Sequence, residues 1–168
     1  MDLAPLSEGT IVELRKHLPA WWSPNNPVDM VAGLGYGGPR EIIPILMASG
    51  AFDGIIFNGI GWIYSMVDPI NLPQEHNPFK KGARRVIDEE VALSQVLIDY
   101  SGRWGLPLLI TSKVLRLAIR RNYEAILNLL NKSIMVYPTA HDVANVFAAL
   151  VEIFTTEPKL SSPNICII

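Results

Sequence analysis

Three short apolar runs alternate with longer helical segments along the chain, and this alternation constrains the fold more than any other feature. The runs are Phe52–Asn58, Leu108–Thr111 and Ile134–Tyr137. Continuous apolar runs of this length are typical of strands that are buried on both faces. Strands that alternate with helices form parallel sheets with crossover connections. The sequence therefore predicts an α/β fold built on a parallel sheet.

Helix start and stop signals place five helices around these strands. Ser7 is the predicted N-cap of the first helix, and Gly50 is the predicted left-handed residue that ends the second. The predicted helices are Glu8–His17, Pro39–Ser49, Ala83–Trp104, Lys113–Asn131 and Pro138–Phe154. Residues 68–81 contain several turn signals and predict an irregular loop. Residues 155–168 are polar and contain prolines, which predicts a loosely ordered tail after one domain, residues 1–154.

Length and composition indicate one domain that works with a partner. A chain of 168 residues is long enough to bury a substantial core. Apolar residues make up 49% of it and charged residues only 18%, so we expect more apolar surface than a typical monomer exposes. This balance favours a protein partner or a homo-oligomer. The net charge of −2 and the lack of a basic run argue against nucleic acid as a partner.

The sequence also argues against several other classes of protein. Cys166 is the single cysteine, which excludes an internal disulfide framework and a cysteine-based zinc site, and no metal site is predicted. No uninterrupted apolar run reaches about 18 residues, and no basic segment precedes an apolar start. We therefore expect no membrane partner and a cytoplasmic location.

Several short segments, in a fixed order, carry a family resemblance. They are Leu3–Ser7, Asn26–Asp29, Asp53–Phe57, Gly105–Leu109, Ile134–Thr139, Asp142–Ala144 and Ala148–Leu150. Together they resemble the C-terminal flavodoxin-like domain of NDP-forming acyl-CoA synthetases, which is similar to the C-terminal domain of the succinyl-CoA synthetase β subunit. The resemblance spans most of residues 3–154 and implies a three-layer, flavodoxin-like parallel sheet.

The resemblance also implies that the domain is incomplete at its N-terminus. Members of the family open this domain with a strand, a glycine-rich turn and a helix that faces a phosphohistidine, and this chain begins after that unit. The family's phosphohistidine lies in a preceding domain, and none of the three histidines here has the matching neighbours. We therefore expect no catalytic residue and no cofactor bound by this chain alone. CoA and ADP or ATP would bind in a full assembly that includes CoA-binding and ATP-grasp domains.

A missing first strand has a consequence for the sheet. In a flavodoxin-like sheet the first strand is central. Without it, the strand at Gly54–Phe57 would have one unpaired apolar edge. We expect the chain to pair that edge with itself, with a separately encoded partner, or by rearranging its strand order.

Five residues are predicted to face a substrate or a partner. Asn58, Gly59 and Gly61 follow the strand that ends near Phe57, and ligands of open α/β sheets bind beyond the carboxyl ends of strands. By the resemblance, Asn58–Gly61 corresponds to a glycine loop that faces the active site. Asn26 and Asp29 belong to the Asn-Pro-Val-Asp segment, in which Asp29 either lines the active site or holds an Asx-type turn.

Other candidates have a structural and a functional interpretation. Residues 33–38 are glycine-rich but lack the order of a phosphate-binding loop, so a flexible approach to a helix is favoured. Arg84 and Arg85, with Lys80 and Lys81, form either a solvated helix start or a contact to a CoA or nucleotide phosphate. The pair Trp21–Trp22 either holds its loop to the core or forms an interface hot spot. His76 is expected to be a solvated loop residue, and His17 and His141 helix-end residues.

These observations lead to two expectations about function. The first is a subunit or fragment of an NDP-forming acyl-CoA synthetase-like ligase, which scaffolds the phosphohistidine site and a subunit interface. The alternative is a non-catalytic flavodoxin-like binding or assembly module. A CoA-binding or nucleotide-dependent partner would favour the first.

Overall fold

The computed structural model describes residues 2–30, 38–61, 64, 80–154 and 163–168. The strands are β1 (Asp2–Leu3), β2 (Gly54–Asn58), β3 (Leu108–Thr111), β4 (Val136–Tyr137) and β5 (Asn164–Ile167). The helices are α1 (Glu8–Leu14), α2 (Gly38–Ala48), α3 (Lys80–Ser101), α4 (Leu115–Arg120), α5 (Glu124–Asn131) and α6 (Ala140–Phe154). Most of the predicted loop at 68–81 and the glycine-rich residues 33–37 lie outside the described residues.

The five strands form one parallel sheet with the order β1-β5-β2-β3-β4. The predicted α/β class and parallel sheet are confirmed. If β5 is counted as the first strand, the spatial order becomes 2-1-3-4-5, which is the flavodoxin-like order. The architecture is therefore consistent with a flavodoxin-like fold in which the last strand of the chain holds the central position.

The prediction of a loose tail is wrong for residues 164–168. Ile165, Cys166 and Ile168 are buried, and β5 pairs with β1 on one side and with β2 on the other. The physical reason is the short apolar run Ile165–Ile168, which has the same pattern as the other buried strands. The polar, proline-containing residues before it obscured this pattern. Residues 155–162 lie outside the described part of the chain.

The strand β5 pairs with the apolar edge of β2 for which the sequence analysis predicted no partner strand. Gly54 pairs with Ile165, Ile55 with Cys166 and Ile56 with Ile167. The pairing extends past the strand ends, because the Ile168 amide donates to the Ile56 carbonyl at 2.9 Å and the Asn58 amide donates to the Ile168 carbonyl at 2.8 Å. The chain therefore supplies this strand itself.

The two faces of the sheet are covered by different helices. Alternate residues such as Ile55, Ile110 and Cys166 belong to the larger core, together with buried residues of α1 to α5. The other face carries Ile56 and Ile165, which pack with Val143 and Phe147 of α6. Right-handed crossovers explain this division, because the chain steps in one direction from β1 to β4 and returns in the opposite direction to reach β5. The return helix α6 therefore lies on the opposite face.

A glycine in β2 permits the close approach of α6. A Cβ atom at Gly54 would lie only 2.3 Å from Cε2 of Phe147, and Phe147 is buried. A side chain at this position would push α6 away from the sheet. Gly54 therefore sets the spacing between the sheet and α6.

The predicted helix boundaries hold in part. Ser7 is the N-cap of α1, with its Oγ accepting the Thr10 amide at 3.2 Å, and Gly50 has a φ of +64° after α2. The first helix ends at Leu14 instead of His17, because tighter i→i−3 bonds replace the helical ones there. The single helix predicted for 113–131 is two helices, divided at residues 121–123, where Asn122 has a φ of +52°.

The remaining helices differ at their ends. The third helix runs from Lys80 to Ser101, so each of its ends lies three residues before the predicted end. The last helix begins at Ala140 after Thr139, whose hydroxyl accepts the Asp142 amide at 3.1 Å. No helix among the described residues is both long and apolar enough to cross a membrane.

We expect Ile165→Ala to lower the free energy of unfolding by about 2–5 kcal/mol, because it opens a cavity against Phe147 at the centre of the sheet. The matched control is Ile153→Ala on α6, whose side chain is 71% exposed. The control is expected to change stability by less than about 0.5 kcal/mol. Chemical denaturation measures both, and equal small effects would contradict a central position for β5.

The thiol of Cys166 provides a second test of β5. Burial raises the pKa of the Cys166 thiol from 9.0 to about 12. Because the folded state holds the proton more tightly than the unfolded state, this stabilisation is complete below pH 9 and is lost as the pH rises towards 12.

The stability of the native chain should therefore fall by up to about 1.4 kcal/mol per pH unit more steeply than that of Cys166→Ala above pH 9. Denaturation curves at several alkaline pH values measure the difference. Parallel curves for the two proteins, or rapid alkylation of the thiol in the native state at pH 8, would count against burial of β5.

Candidate functional site

The candidate site lies at the edge of the sheet where the carboxyl ends of the parallel strands meet. On one side of β5 lies β1, and on the other side β2, β3 and β4 follow, so the strand order changes direction between β5 and β2. Ligands of open α/β sheets bind outside the carboxyl ends at such a switch point. Asn58, Gly59 and Gly61 come directly after β2 and so lie at this point.

Asn26 holds two strands together through its side-chain amide. Its Nδ2 donates to the carbonyls of Ala4 at 2.9 Å and Ile165 at 2.6 Å, and its Oδ1 accepts the Ile167 amide at 3.0 Å. These three bonds link the end of β1 to β5 where the ladder between them is only two residues long. The peptide bond from Asn26 to Pro27 is cis. The structure therefore shows a role for Asn26 in closing the sheet.

Asp29 is the last residue of the Asn-Pro-Val-Asp segment and lies on the surface. The preceding Val28 is buried, and its amide donates to the Ile167 carbonyl at 2.7 Å, so the segment runs beside β5. The Asp29 side chain is exposed. Its predicted contact with a substrate or partner stays a prediction.

Asn58 and Thr111 join the ends of β2 and β3. The Thr111 hydroxyl donates to Asn58 Oδ1 at 2.5 Å, and the two residues are register partners in the sheet. Thr111 is buried, whereas Asn58 is exposed. The amide nitrogen of the Asn58 side chain thus lies at the surface of the switch point, on a side chain that its neighbour orients.

The residues Gly59-Ile60-Gly61 form a turn that we call the glycine loop. Gly59 has a φ of +113° and Gly61 a φ of +88°, values that side-chain-bearing residues rarely adopt. The Gly59 amide donates to the Thr111 carbonyl at 3.2 Å, and Ile60 is buried. The loop is therefore held against the sheet by both its backbone and its central side chain.

A buried carboxyl group holds the other end of the glycine loop. Glu90 of α3 is fully buried, and its Oε1 accepts the Gly61 amide at 2.6 Å. Its Oε2 accepts the hydroxyl of Tyr123, which is also buried. The Tyr123 ring stacks on Tyr64 with a centroid distance of 4.0 Å. One carboxyl group thus ties together the loop after β2, the helix α3 and the segment before α5.

Sequence reasoning missed Glu90, although one signal was available. On α3, Ile87, Glu90, Ser94 and Leu97 recur at spacings of three and four, so they lie on one helical face. Glu90, Ser94 and Leu97 are fully buried and Ile87 packs against the core. A charged residue inside an otherwise buried stripe indicates a specific polar partner.

Ser112 lies against the same loop. It is fully buried directly after β3, and its hydroxyl has no hydrogen-bond partner among the residues that the structure describes. A Cβ atom at Gly61 would lie 3.1 Å from Ser112 Oγ and 3.0 Å from Cγ2 of Val114. A side chain at residue 61 would crowd the segment after β3, and the φ of +88° also favours glycine there.

The remaining candidates from the sequence lie elsewhere. Trp22 is buried and holds its loop to the core, as the first interpretation predicted, whereas Trp21 is 73% exposed and its place in an interface stays a prediction. Arg84 and Arg85 are exposed on α3 and pair with Asp88 and Glu89 one turn later. His76 lies outside the described residues.

The two described histidines lie at helix ends. His17 follows α1 and is half-buried, and its amide donates to the Leu14 carbonyl at 3.0 Å. His141 is exposed in the first turn of α6, with its Nε2 3.1 Å from Nδ2 of Asn145. Within the described residues, no group of three or more histidine, cysteine, aspartate or glutamate side chains could hold a metal ion.

A shallow groove of about 530 Å³ opens at another part of the surface. Its walls include Thr10 of α1, Ile45 of α2 and Trp104, which is 37% exposed. Ser49 also lines the groove. Ser49 precedes β2 by a few residues along the chain, and Trp104 likewise precedes β3. The groove therefore lies towards the amino ends of β2 and β3, away from the switch point.

Comparison with known proteins identifies no relative. No family model, no curated protein and no solved structure matches this chain. The chemistry of the site therefore rests on its own geometry: the exposed Asn58 side chain, the glycine loop, the buried Glu90 carboxyl group and the Ser112 hydroxyl, which has no partner in the described part of the chain. These groups can hold and orient a ligand or a partner segment.

We expect Tyr123→Phe to lower the free energy of unfolding by about 1–3 kcal/mol, because it removes a donor from the buried Glu90 carboxyl group. The control is Tyr100→Phe, which removes an exposed hydrogen bond to the Arg40 carbonyl and should cost less than about 1 kcal/mol. The double variant Glu90→Gln/Tyr123→Phe should lose less stability than the sum of the two single variants. Strict additivity in denaturant unfolding would contradict a shared network.

Proposed function

We propose that this chain is a subunit or fragment of an NDP-forming acyl-CoA synthetase-like ligase. In that role it scaffolds the site of a phosphohistidine that another domain carries, and it does not catalyse the reaction alone. The sequence resemblance supports the proposal through the order of its short motifs. The strand order supports it independently of those motifs.

The strand order is the observation that carries the proposal. The resemblance implies that the central first strand of the family's domain would lie before this chain. It also implies that the four other strands take their places in the flavodoxin-like order 2-1-3-4-5. In the structure the remaining strands do follow that order, and β5 lies in the first-strand position. A sheet with this order needs a central strand to cover the apolar edge of β2, whichever segment provides it.

The glycine loop gives the proposal a location. By the resemblance, Asn58–Gly61 corresponds to a loop that faces the active site. The loop stands at the switch point, and Asn58 presents its side-chain amide there. A rigid loop is suited to support a phosphorylated side chain of a neighbouring domain, because a preorganised contact needs no rearrangement when the phosphoryl group moves.

The chemistry of the whole assembly would take three steps. Acyl-CoA and inorganic phosphate form an acyl phosphate and release CoA. A histidine nitrogen then attacks the acyl phosphate, which releases the carboxylate and leaves phosphohistidine. Finally, the phosphoryl group passes from histidine to ADP and forms ATP. The histidine, the CoA site and the nucleotide site belong to partner domains under this proposal.

The test is co-purification of the tagged, full chain from its source cells. We expect it to recover a protein with a CoA-binding and an ATP-grasp domain. The recovered complex, incubated with γ-labelled ATP, should gain an acid-labile phosphohistidine on the partner, and ADP should remove the label. In the recovered complex, Asn58→Ala should slow the labelling, whereas Asn131→Ala, at an exposed position of α5, should not.

The second candidate is a non-catalytic flavodoxin-like binding or assembly module. One observation favours it: β5 covers the edge of β2, so the chain closes its own sheet without a partner strand. Under this alternative the chain is a monodisperse monomer, and co-purification recovers no CoA-dependent or nucleotide-dependent partner. That result would overturn the ligase proposal.

A further inference from the structure

Asn58 and Gly59 form the single Asn-Gly pair of the chain, and Asn58 is the exposed last residue of β2. Asparagine is one of the thermolabile residues of proteins. The backbone nitrogen that follows an asparagine can attack its side-chain amide, and a following glycine favours this attack because it has no Cβ atom to hinder it. The pair lies at the switch point, so a change in its chemistry would change the candidate site.

Thr111 of β3 holds both groups that would react. Its hydroxyl donates to Asn58 Oδ1 at 2.5 Å, and its carbonyl accepts the Gly59 amide at 3.2 Å. The side-chain carbonyl of Asn58 and the backbone nitrogen of Gly59 are thus anchored on one neighbouring residue. Thr111 is itself buried and paired with β2. Groups that are held close together and oriented react faster than free groups.

The Thr111 hydroxyl also lies where negative charge would develop. When a nitrogen attacks the side-chain carbonyl of Asn58, charge moves onto Oδ1, and a hydrogen bond donated to this atom stabilises the transition state. The leaving nitrogen, Nδ2, has no hydrogen bond within the described ranges, so its departure breaks no contact there. The approach to the pair is open, because no described heavy atom lies within 4 Å of the position that a Cβ atom of Gly59 would take.

One contact opposes the reaction. The Gly59 nitrogen must lose its proton, and its hydrogen bond to the Thr111 carbonyl holds that proton in place. This bond, at 3.2 Å, is at the long end of the range for N–H···O bonds. The hydroxyl bond to Asn58 Oδ1, at 2.5 Å, is at the short end of the range for O–H···O bonds. The activating contact is therefore the stronger of the two.

We propose that Asn58 is a modification site at which Thr111 promotes spontaneous deamidation. The Gly59 nitrogen forms a bond to Asn58 Cγ, the bond from Cγ to Nδ2 breaks, and Nδ2 leaves as ammonia with the proton that the Gly59 nitrogen gives up. Water then adds to either carbonyl of the cyclic imide and opens it to aspartate or isoaspartate. The reaction needs this chain and water alone, so it does not depend on the ligase proposal.

The products change the switch point in two ways. Either product replaces a neutral amide by a carboxylate, which can still accept the Thr111 hydroxyl. Isoaspartate also routes the main chain through its Cβ atom, so it lengthens the backbone between the Asn58 amide, which donates to the Ile168 carbonyl, and the Gly59 amide. Deamidation therefore adds negative charge to the candidate site and, in the isoaspartyl form, shifts the glycine loop against β3.

The first experiment follows the native full chain in mildly alkaline buffer. Peptide mapping by mass spectrometry measures the conversion of amide to carboxyl at each asparagine. Asn58 is expected to react ahead of Asn131 and Asn145, which are exposed on α5 and α6 and precede larger residues. Isoaspartate should accompany aspartate, because opening of the cyclic imide gives both.

Asn58→Gln is the matched control for this mapping. It keeps an amide at the same position, but attack by the Gly59 nitrogen would close a larger ring, so position 58 should stay unmodified. An intact Asn58 after the helical asparagines have reacted would overturn the proposal. Formation of aspartate without isoaspartate would contradict the cyclic route.

The second experiment tests the Thr111 hydroxyl. Thr111→Val removes the hydroxyl and nearly keeps the shape of the side chain, so it should slow deamidation of Asn58 about two- to tenfold, the factor that one neutral hydrogen bond corresponds to. Thr111→Ser keeps the donor and should react within about twofold of the native rate. An unchanged or faster reaction in Thr111→Val, or equal slowing in both variants, would rule out promotion by the hydroxyl.

The third experiment repeats the rate measurements in concentrated urea. Unfolding separates Asn58 from Thr111, so the native chain and both Thr111 variants should then react at the same rate. The native chain is expected to react at least as fast folded as unfolded. Faster reaction in urea would mean that the fold protects Asn58, and the proposal would be wrong. This comparison uses the native sequence, so it decides the question even where Thr111→Val does not fold.

Discussion

The pairing of β2 with β5 is the interaction on which the rest of the structure depends. Both strands are apolar and buried, and an unpaired backbone at the centre of a sheet is costly because water cannot reach its amides and carbonyls. The pairing also orders the carboxyl-end edge, since the Asn58 amide donates to the Ile168 carbonyl. The side chain of Asn26 extends the same arrangement to β1. A central strand is therefore a requirement for both the fold and the candidate site.

The glycine loop shows how a buried carboxyl group can occupy a backbone amide at a strand end. Glycines with positive φ at a strand end suggest a backbone cradle for phosphate. Here Glu90 accepts the amide of Gly61 and also binds Tyr123, so the loop serves as a rigid support. The same carboxyl group holds α3, the loop and the approach to α5 in one geometry.

The sequence predicted the parts of the fold that local patterns specify. The strands at Gly54–Asn58 and Leu108–Thr111 and the cap at Ser7 follow from apolar runs and from hydrogen bonds between near neighbours. It missed β5, because four apolar residues after a polar, proline-containing segment carry little signal by themselves. Whether such a run becomes a strand depends on a partner strand far away in the sequence.

The position of the residues after β2 was predicted from the sequence, but the groups that they contact were not. Residues at the end of β2 were expected beyond the carboxyl end of a strand and are found there, and the strand order then places them at the switch point. Asn26 was expected to face a ligand or partner, which stays a prediction; in the structure its side-chain amide bonds three backbone groups. Glu90 was not identified: its place on the buried face of α3 indicates that it has a polar partner, but not which distant donors supply it. Alternation of strands and helices is local and is written in the sequence. The strand order, the central position of β5 and the partners of Glu90 were decided by tertiary packing, because they depend on contacts between segments that only the folded chain brings together.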